Sequence, residues 1–204
     1  MSGLWTILRI RLKILPYLEY TMNNNLNDKT KNKTLFIIGL PSSGKTTLSK
    51  MLAEYLNYNF YDMDLIIEEK EKMKISAIFE LHGEKYFREK ESEVLENLSE
   101  LSNVVISTGG GIILAKKNRD IMKKNGTTIF INRNLDILLK HVDASERPLL
   151  TKDKNKLIEL SKEREPLYRE TADIIFTHNT WEENIEDTFN IFYDYIKNKI
   201  SLSN

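Results

Sequence analysis

Residues 39 to 46 read Gly-Leu-Pro-Ser-Ser-Gly-Lys-Thr, a complete GxxxxGK[ST] pattern, and the chemistry those types can do together is to hold a polyphosphate. Glycines let the backbone turn tightly and aim successive N–H groups at phosphate oxygens. The N-terminus of a following helix adds positive potential at the same place. Lys45 then reaches the β- and γ-phosphates, and the Thr46 hydroxyl is placed to ligate Mg²⁺. The expected nucleotide contacts are Gly39, Ser42, Ser43, Gly44, Lys45, Thr46 and Thr47. The bland alternative is a turn that happens to carry a lysine. The flanks argue against it, because the apolar run Leu35–Ile38 precedes the octet and the helix-like stretch Thr47–Glu54 follows.

Three further clusters fall at the ends of apolar runs, where ligands of open α/β sheets bind. The first is Tyr61-Asp62-Met63-Asp64. Carboxylates at i and i+2 of an extended segment leave on one side, which offers Asp62 to the Mg²⁺ shell and Asp64 to an acceptor hydroxyl. Asp64 also suits the cap of a helix beginning at Leu65. The second is Gly109-Gly110-Gly111 after Val104–Ser107; three consecutive glycines are entropically costly and make sense where a ligand lies against backbone. The third is a set of arginines. Arg88 has Glu84 one helical turn back and reads equally as an exposed ion pair. Arg169 lies in the charged run 161–170, and Arg147 lies in the short polar stretch 142–153, which is suited to a moving lid.

These residues need elements to position them. From Thr34 onward short apolar runs alternate with helical patterns, the rhythm of a parallel sheet covered by helices. Strands are expected at Leu35–Ile38, Asn59–Tyr61, Val104–Ser107, Thr128–Ile131 and Asp173–Phe176. Helices are expected near Thr46–Leu56, Leu65–Lys72, Glu84–Leu101, Arg119–Lys124, Leu135–Lys140, Lys156–Glu170 and Glu182–Lys197. The chain of 204 residues suits one such domain plus a tail.

Composition removes several function classes. Lysine and arginine total 30, as do aspartate and glutamate, so no global field draws nucleic acid or an acidic membrane. There is no cysteine, which excludes disulfides, thiolate metal sites and thiol nucleophiles. His82, His141 and His178 show no metal-ligand spacing. No apolar run has the length of a bilayer span. Residues 1–33 stand apart. Apolar positions of Leu4–Leu15 are interrupted by Arg9, Arg11 and Lys13, a poor secretory pattern, and Asn23–Lys33 is almost wholly polar. A targeting peptide, a membrane-surface helix and sequence upstream of a true start at Met22 are the three readings, the last preferred. The expectation is a cytoplasmic monomer without nucleic-acid or stable membrane partners.

Taken in order, the motifs resemble the shikimate kinase family from about Thr34 to the C-terminus. They run from the phosphate loop through Asp62-x-Asp64, Gly83-Glu84-x-x-Phe87-Arg88-x-x-Glu91 and Thr108-Gly109-Gly110-Gly111 to Arg147-Pro148-Leu149-Leu150 and Arg164-x-Pro166-Leu167-Tyr168-Arg169. The resemblance implies a three-layer P-loop fold, α/β, with a five-stranded parallel sheet. It also implies phosphorylation of the 3-hydroxyl of shikimate by ATP with Mg²⁺. Asp64 would meet the reacting hydroxyl, Arg88 and Arg169 the acceptor carboxylate, and Gly109, Gly110 and Gly111 the same pocket; Arg147 would swing in on the lid to meet phosphate. Guanidinium forks suit a carboxylate on a small polyol. Two departures stand out. Lys140 replaces an arginine that often stacks on adenine, and the third strand ends in Ser107 where many P-loop enzymes carry an acid, leaving the metal to Thr46 and Asp62. Competing readings are a gluconate- or nucleoside monophosphate-type kinase, and a catalytically dead nucleotide-binding module.

Overall fold

A computed structural model describes residues 33–141, 154–180 and 184–202. These belong to one compact unit, Asn32–Asn204. The expected lid at 142–153, with Arg147, lies outside the described residues, as does the N-terminal extension apart from Lys33.

Five strands, β1 (Thr34–Ile38), β2 (Asn59–Asp62), β3 (Val104–Ser107), β4 (Thr127–Arg133) and β5 (Ile174–His178), form a parallel sheet in the order β2-β3-β1-β4-β5. The chain reverses its direction of growth after β3, so β1 sits centrally, with β3 and β2 to one side and β4 and β5 to the other. The described helices are α1 (Lys45–Leu56), α2 (Met63–Glu71), α3 (Ile75–Ser99), α4 (Lys116–Asn125), α5 (Leu135–His141), α6 (Lys154–Thr171) and α7 (Ile185–Leu202), with a 3₁₀ turn at Ile112–Leu114.

Both faces of the sheet are covered, and β1 shows why. Successive side chains of a strand leave on opposite faces. Leu35 and Ile37 join one core with Leu48 and Leu52 of α1 and Phe192 and Ile196 of α7. Phe36 and Ile38 join the other core with Ile67 of α2, Leu95 of α3, Met122 of α4 and Tyr168 of α6. All five β1 residues are buried, the signature of a parallel strand between two helical layers. Among the described residues no helix is long and apolar enough to cross a membrane.

The expected strands and helices are present, with two differences. α3 begins at Ile75, because a first helical piece is joined to the expected one across Gly83, whose φ of 79° and ψ of 172° break the helical run. Ile75–His82 is only eight residues long and mostly apolar, and a run that short does not separate a helical period from a buried strand, so that piece was not visible beforehand. The second difference is that α2 starts at Met63 and its cap is Asp62, not Asp64: Asp62 Oδ1 accepts from the backbone N–H of Asp64 (3.0 Å) and of Leu65 (3.3 Å).

Entry into β4 depends on Gly126. A Cβ there would lie 2.2 Å from the Thr34 carbonyl oxygen and 2.8 Å from the Phe36 ring, and backbone cannot yield as a flexible side chain does. Gly126→Ala is expected to cost about 1–3 kcal/mol, read as a lowered urea midpoint; an unchanged midpoint would show that β4 enters more loosely than described.

Candidate active site

The phosphate loop is shaped by what its neighbours exclude. A Cβ on Gly39 would lie 2.7 Å from the carbonyl oxygen of Ile131 on β4, so only glycine lets the loop leave β1 at this closeness. Gly44, at φ 87°, is the residue from which α1 springs, and no side chain caps that helix. Its first N–H groups are therefore left for an anion. Lys45 is 6% exposed, with Nζ donating to the Leu40 carbonyl at 2.7 Å, so the ammonium folds back across its own loop. Ser42 is half-buried at φ 63°, Ser43 is buried, and Thr46 and Thr47 are exposed at the start of α1.

Beside the loop three oxygen-bearing side chains meet. Thr46 Oγ1 donates to Asp62 Oδ2 at 2.9 Å and lies 3.3 Å from Ser107 Oγ. The register explains this, since Ser107 pairs with Ile37 on one side and Asp62 on the other. Hydroxyl and carboxylate oxygens are the hard donors that Mg²⁺ prefers, and it usually takes only one or two carboxylates from protein alongside substrate phosphates. The donor set fits that ion. Among the described residues no cluster of three or more His, Cys, Asp or Glu offers a different metal site.

Because α2 starts at Met63, Asp62 and Asp64 do not leave one strand side by side as expected. Asp62 turns to Thr46, while Asp64 turns to the triple glycine, its Oδ1 3.0 Å from where a Cβ on Gly109 would stand. The glycines are packed against side chains: a Cβ on Gly109 would lie 2.6 Å from Glu91 Oε1, and one on Gly111 would lie 2.3 Å from Arg88 Nη2. Gly110 faces the phosphate loop, with Pro41 Cδ 3.1 Å from the same construction. Their smallness thus admits the charged side chains that converge on them.

Arg88 makes two ion pairs. Its Nη1 donates to Glu91 Oε2 at 2.7 Å, and its Nη2 donates to Glu84 Oε1 at 3.1 Å. The exposed pair foreseen in the sequence is present, but Glu91 is wholly buried and its Oε1 lacks a hydrogen-bond partner. Burial works against the Arg88 charge, yet the Glu91 and Glu84 carboxylates outweigh it and hold the guanidinium above its usual range. For Glu91 burial dominates and pushes the carboxyl upward against Arg88, with the nearby Asp64 charge adding to the rise and Arg164 opposing it.

Arg164 is the residue that motif reading quoted but did not place. Its side chain is 12% exposed, its Nε is buried without a hydrogen-bond partner, and its charge acts on both Glu91 and Tyr168. Arg169, at 48% exposure, is paired with Glu165 one turn back, Nη2 to Oε1 at 2.8 Å. Helical phase separates the two: Leu157, Ser161, Arg164 and Tyr168 recur along one face of α6, and Arg169 stands off it. Across β4 and β5, a cavity of about 330 Å³ opens beside Leu40, lined by Asn132, Arg133, Asp136, Glu165 and Asn179 among others.

The sequence model of the family described as Shikimate kinase (SKI) matches residues 41–195. The chain belongs to the shikimate kinase family. A shikimate kinase of Alkaliphilus oremlandii is 43% identical over 162 residues, covering 76% of this chain and 96% of that protein. One from Clostridium beijerinckii is 44% identical over 155 residues, covering 76% and 90%. Among solved structures, shikimate kinase from Aquifex aeolicus superposes with a TM-score of 0.70 at 37% identity, covering 84% of this chain and 99% of that one. Shikimate kinase from Acinetobacter baumannii in complex with shikimate gives 0.72 at 33%, covering 82% and 95%. The match to these structures establishes the P-loop fold, five parallel strands between helical layers.

The Glu91 environment has a pH signature. A carboxyl whose native pKa stands above its unfolded value keeps a proton that the unfolded chain releases. Its contribution to stability is fully present below the unfolded value and is lost as pH rises through the native one. Wild type should therefore lose stability relative to Glu91→Gln as pH is raised from the ordinary value of 4.5, measured by urea unfolding at successive pH values. A constant gap, or one moving the other way, would contradict the burial-dominated assignment.

Proposed function

We propose that this chain transfers the γ-phosphoryl group of ATP to the 3-hydroxyl of shikimate, a step on the route to chorismate and the aromatic amino acids, in the cytoplasm. The observation that carries the reading is the convergence of Asp64, Arg88 and Glu91 on the triple glycine, with the Arg164 charge acting on Glu91, next to a phosphate loop whose helix end is uncapped.

The triphosphate lies over Gly39–Thr47, its oxygens meeting the loop N–H groups, the Ser42 and Ser43 region and Lys45. The nucleoside extends toward the cavity on the β4–β5 side. Thr46 and Asp62 hold the Mg²⁺, which when bound supplies charge neutralisation to the phosphates. Shikimate lies against Gly109, Gly110 and Gly111. Its carboxylate is gripped by Arg88 and by Arg164, whose burial beside Glu91 makes it the better second fork than Arg169. Planar guanidinium groups meet a carboxylate bidentately, which fixes orientation as well as charge.

Asp64 orients the acceptor hydroxyl. As the bond from its oxygen to the γ-phosphorus forms and the bond from that phosphorus to the bridging oxygen breaks, the hydroxyl proton passes late to the Asp64 carboxylate and ADP leaves. The transition state is loose, so positioning and charge neutralisation supply most of the acceleration. Arg147 completes the charge shell when the 142–153 segment closes over the phosphates and keeps water out.

A coupled ADP-release assay decides the acceptor. Turnover is expected with shikimate and not with gluconate or nucleoside monophosphates, and the reverse pattern would defeat the reading. Asp64→Asn should lower kcat by roughly a hundredfold or more with ATP affinity nearly kept; normal turnover would remove Asp64 from the chemistry. Arg88→Lys and Arg164→Lys should each raise the shikimate KM by about tenfold, more than the ATP KM, while Arg169→Lys changes both little. A larger effect at Arg169 than at Arg164 would restore Arg169 as the second fork.

A further inference from the structure

Tyr168 occupies a place that neither ligand needs to touch. Its side chain is fully buried, and its ring stacks on Phe130 of β4 with centroids 4.9 Å apart. Its hydroxyl lies 3.0 Å from the carbonyl oxygen of Gly39, the first residue of the phosphate loop. It also reaches the carbonyl oxygen of Gly110, the middle residue of the triple glycine. Burial pushes this phenol far above its ordinary range, against the opposing charge of Arg164, so it stays a neutral donor. The two loops touch directly here as well, since Pro41 Cδ and the Gly39 carbonyl oxygen lie 3.1 and 3.5 Å from the position of a Cβ on Gly110.

We propose that Tyr168 is a positioning residue that sets the spacing between the phosphate loop and the acceptor loop by holding the Gly39 and Gly110 carbonyls together through one hydroxyl. Two carbonyl oxygens that approach the same point repel unless a donor stands between them. A phenol has one proton to share; the Gly39 acceptor is buried and the Gly110 acceptor partly so. Without the hydroxyl the oxygens lose their common partner and the loops separate. Each loop carries its own ligand contacts, so such a separation leaves either ligand bound but lengthens the path from acceptor oxygen to phosphorus. Reaction rate is far more sensitive than binding to that length. The position of Tyr168 one helical turn from Arg164 ties the same strut to the guanidinium assigned to the acceptor carboxylate, so the proposal rests on the kinase reading above.

The test is Tyr168→Phe, which keeps the ring and its stacking on Phe130. In one assay series with ATP and shikimate, wild-type turnover checks the kinase reading by itself. The variant is then expected to show kcat reduced about tenfold, with the KM values for ATP and for shikimate each within about twofold of wild type. A purely structural role would instead lower the melting temperature and the active fraction while leaving kcat per folded enzyme intact. Retention of kcat, or a loss carried by one KM alone, would overturn the proposal even where wild type turns over normally. Should Tyr168→Phe fail to accumulate folded, Gly110→Ala wedges a methyl group against Pro41 and perturbs the same spacing. It should lower kcat by a larger factor than it raises either KM, and an unchanged kcat would overturn the proposal equally.

Discussion

Three neighbouring parallel strands, β2, β3 and β1, end level with one another, and the site depends on that register. Ser107 is opposite both Asp62 and Ile37, so the segments leaving the three strands start from one line. Thr46 then comes within hydrogen-bonding range of both Asp62 and Ser107, and the triple glycine lies beside the phosphate loop. Shifting one strand by a single residue would turn its side chains to the opposite face and separate the groups. The two-sided apolar burial of β1 and β3 is what resists such a shift, because both faces of each strand already contribute to a core.

On that frame a cluster of charged side chains gathers beside the triple glycine. Glu91, a carboxylate with no exposure at all, pairs with Arg88 and is acted on by the Arg164 charge. Arg88 is shared between Glu91 and the more exposed Glu84, and Arg164 lies 3.7 Å from Glu163; under the proposed reading a ligand carboxylate takes the place of these outer partners. Glu91 Oε1 and Arg164 Nε are both buried without a hydrogen-bond partner. The protein as a whole carries balanced charge, so these groups act on their surroundings locally and not through a long-range field.

How much of this could be read from residues alone depended on the range of the interactions. The phosphate loop was legible because its chemistry is contained in eight consecutive residues and their two flanks. The strands were legible because those of a parallel sheet are short apolar runs. Asp62 was expected beside Thr46 and lies there, but its task as the cap of α2 was not foreseen, because helix starts are decided by one hydrogen bond. Glu91 carried only an i, i+3 signal to Arg88, which reads as surface pairing until burial is known. Arg164 was hidden in a run where almost every residue is charged. Had α6 been phased on Leu157 and Tyr168, both fully buried, Arg164 would have fallen on the inner face. The glycines were read as a floor for a ligand, and the structure adds that they also admit Arg88, Glu91 and Asp64.

The central claim is that the register of one sheet edge brings an ATP terminal phosphate and an acid-bearing acceptor into line. A crystal structure with shikimate and a non-hydrolysable ATP analogue bound together measures this most directly. The acceptor 3-hydroxyl oxygen should stand about 3–3.5 Å from the terminal phosphorus, hydrogen-bonded to Asp64, with the acceptor carboxylate on Arg88 and Arg164. A complex in which the acid lies away from those guanidinium groups, or its hydroxyl points away from the phosphate loop, would contradict the account.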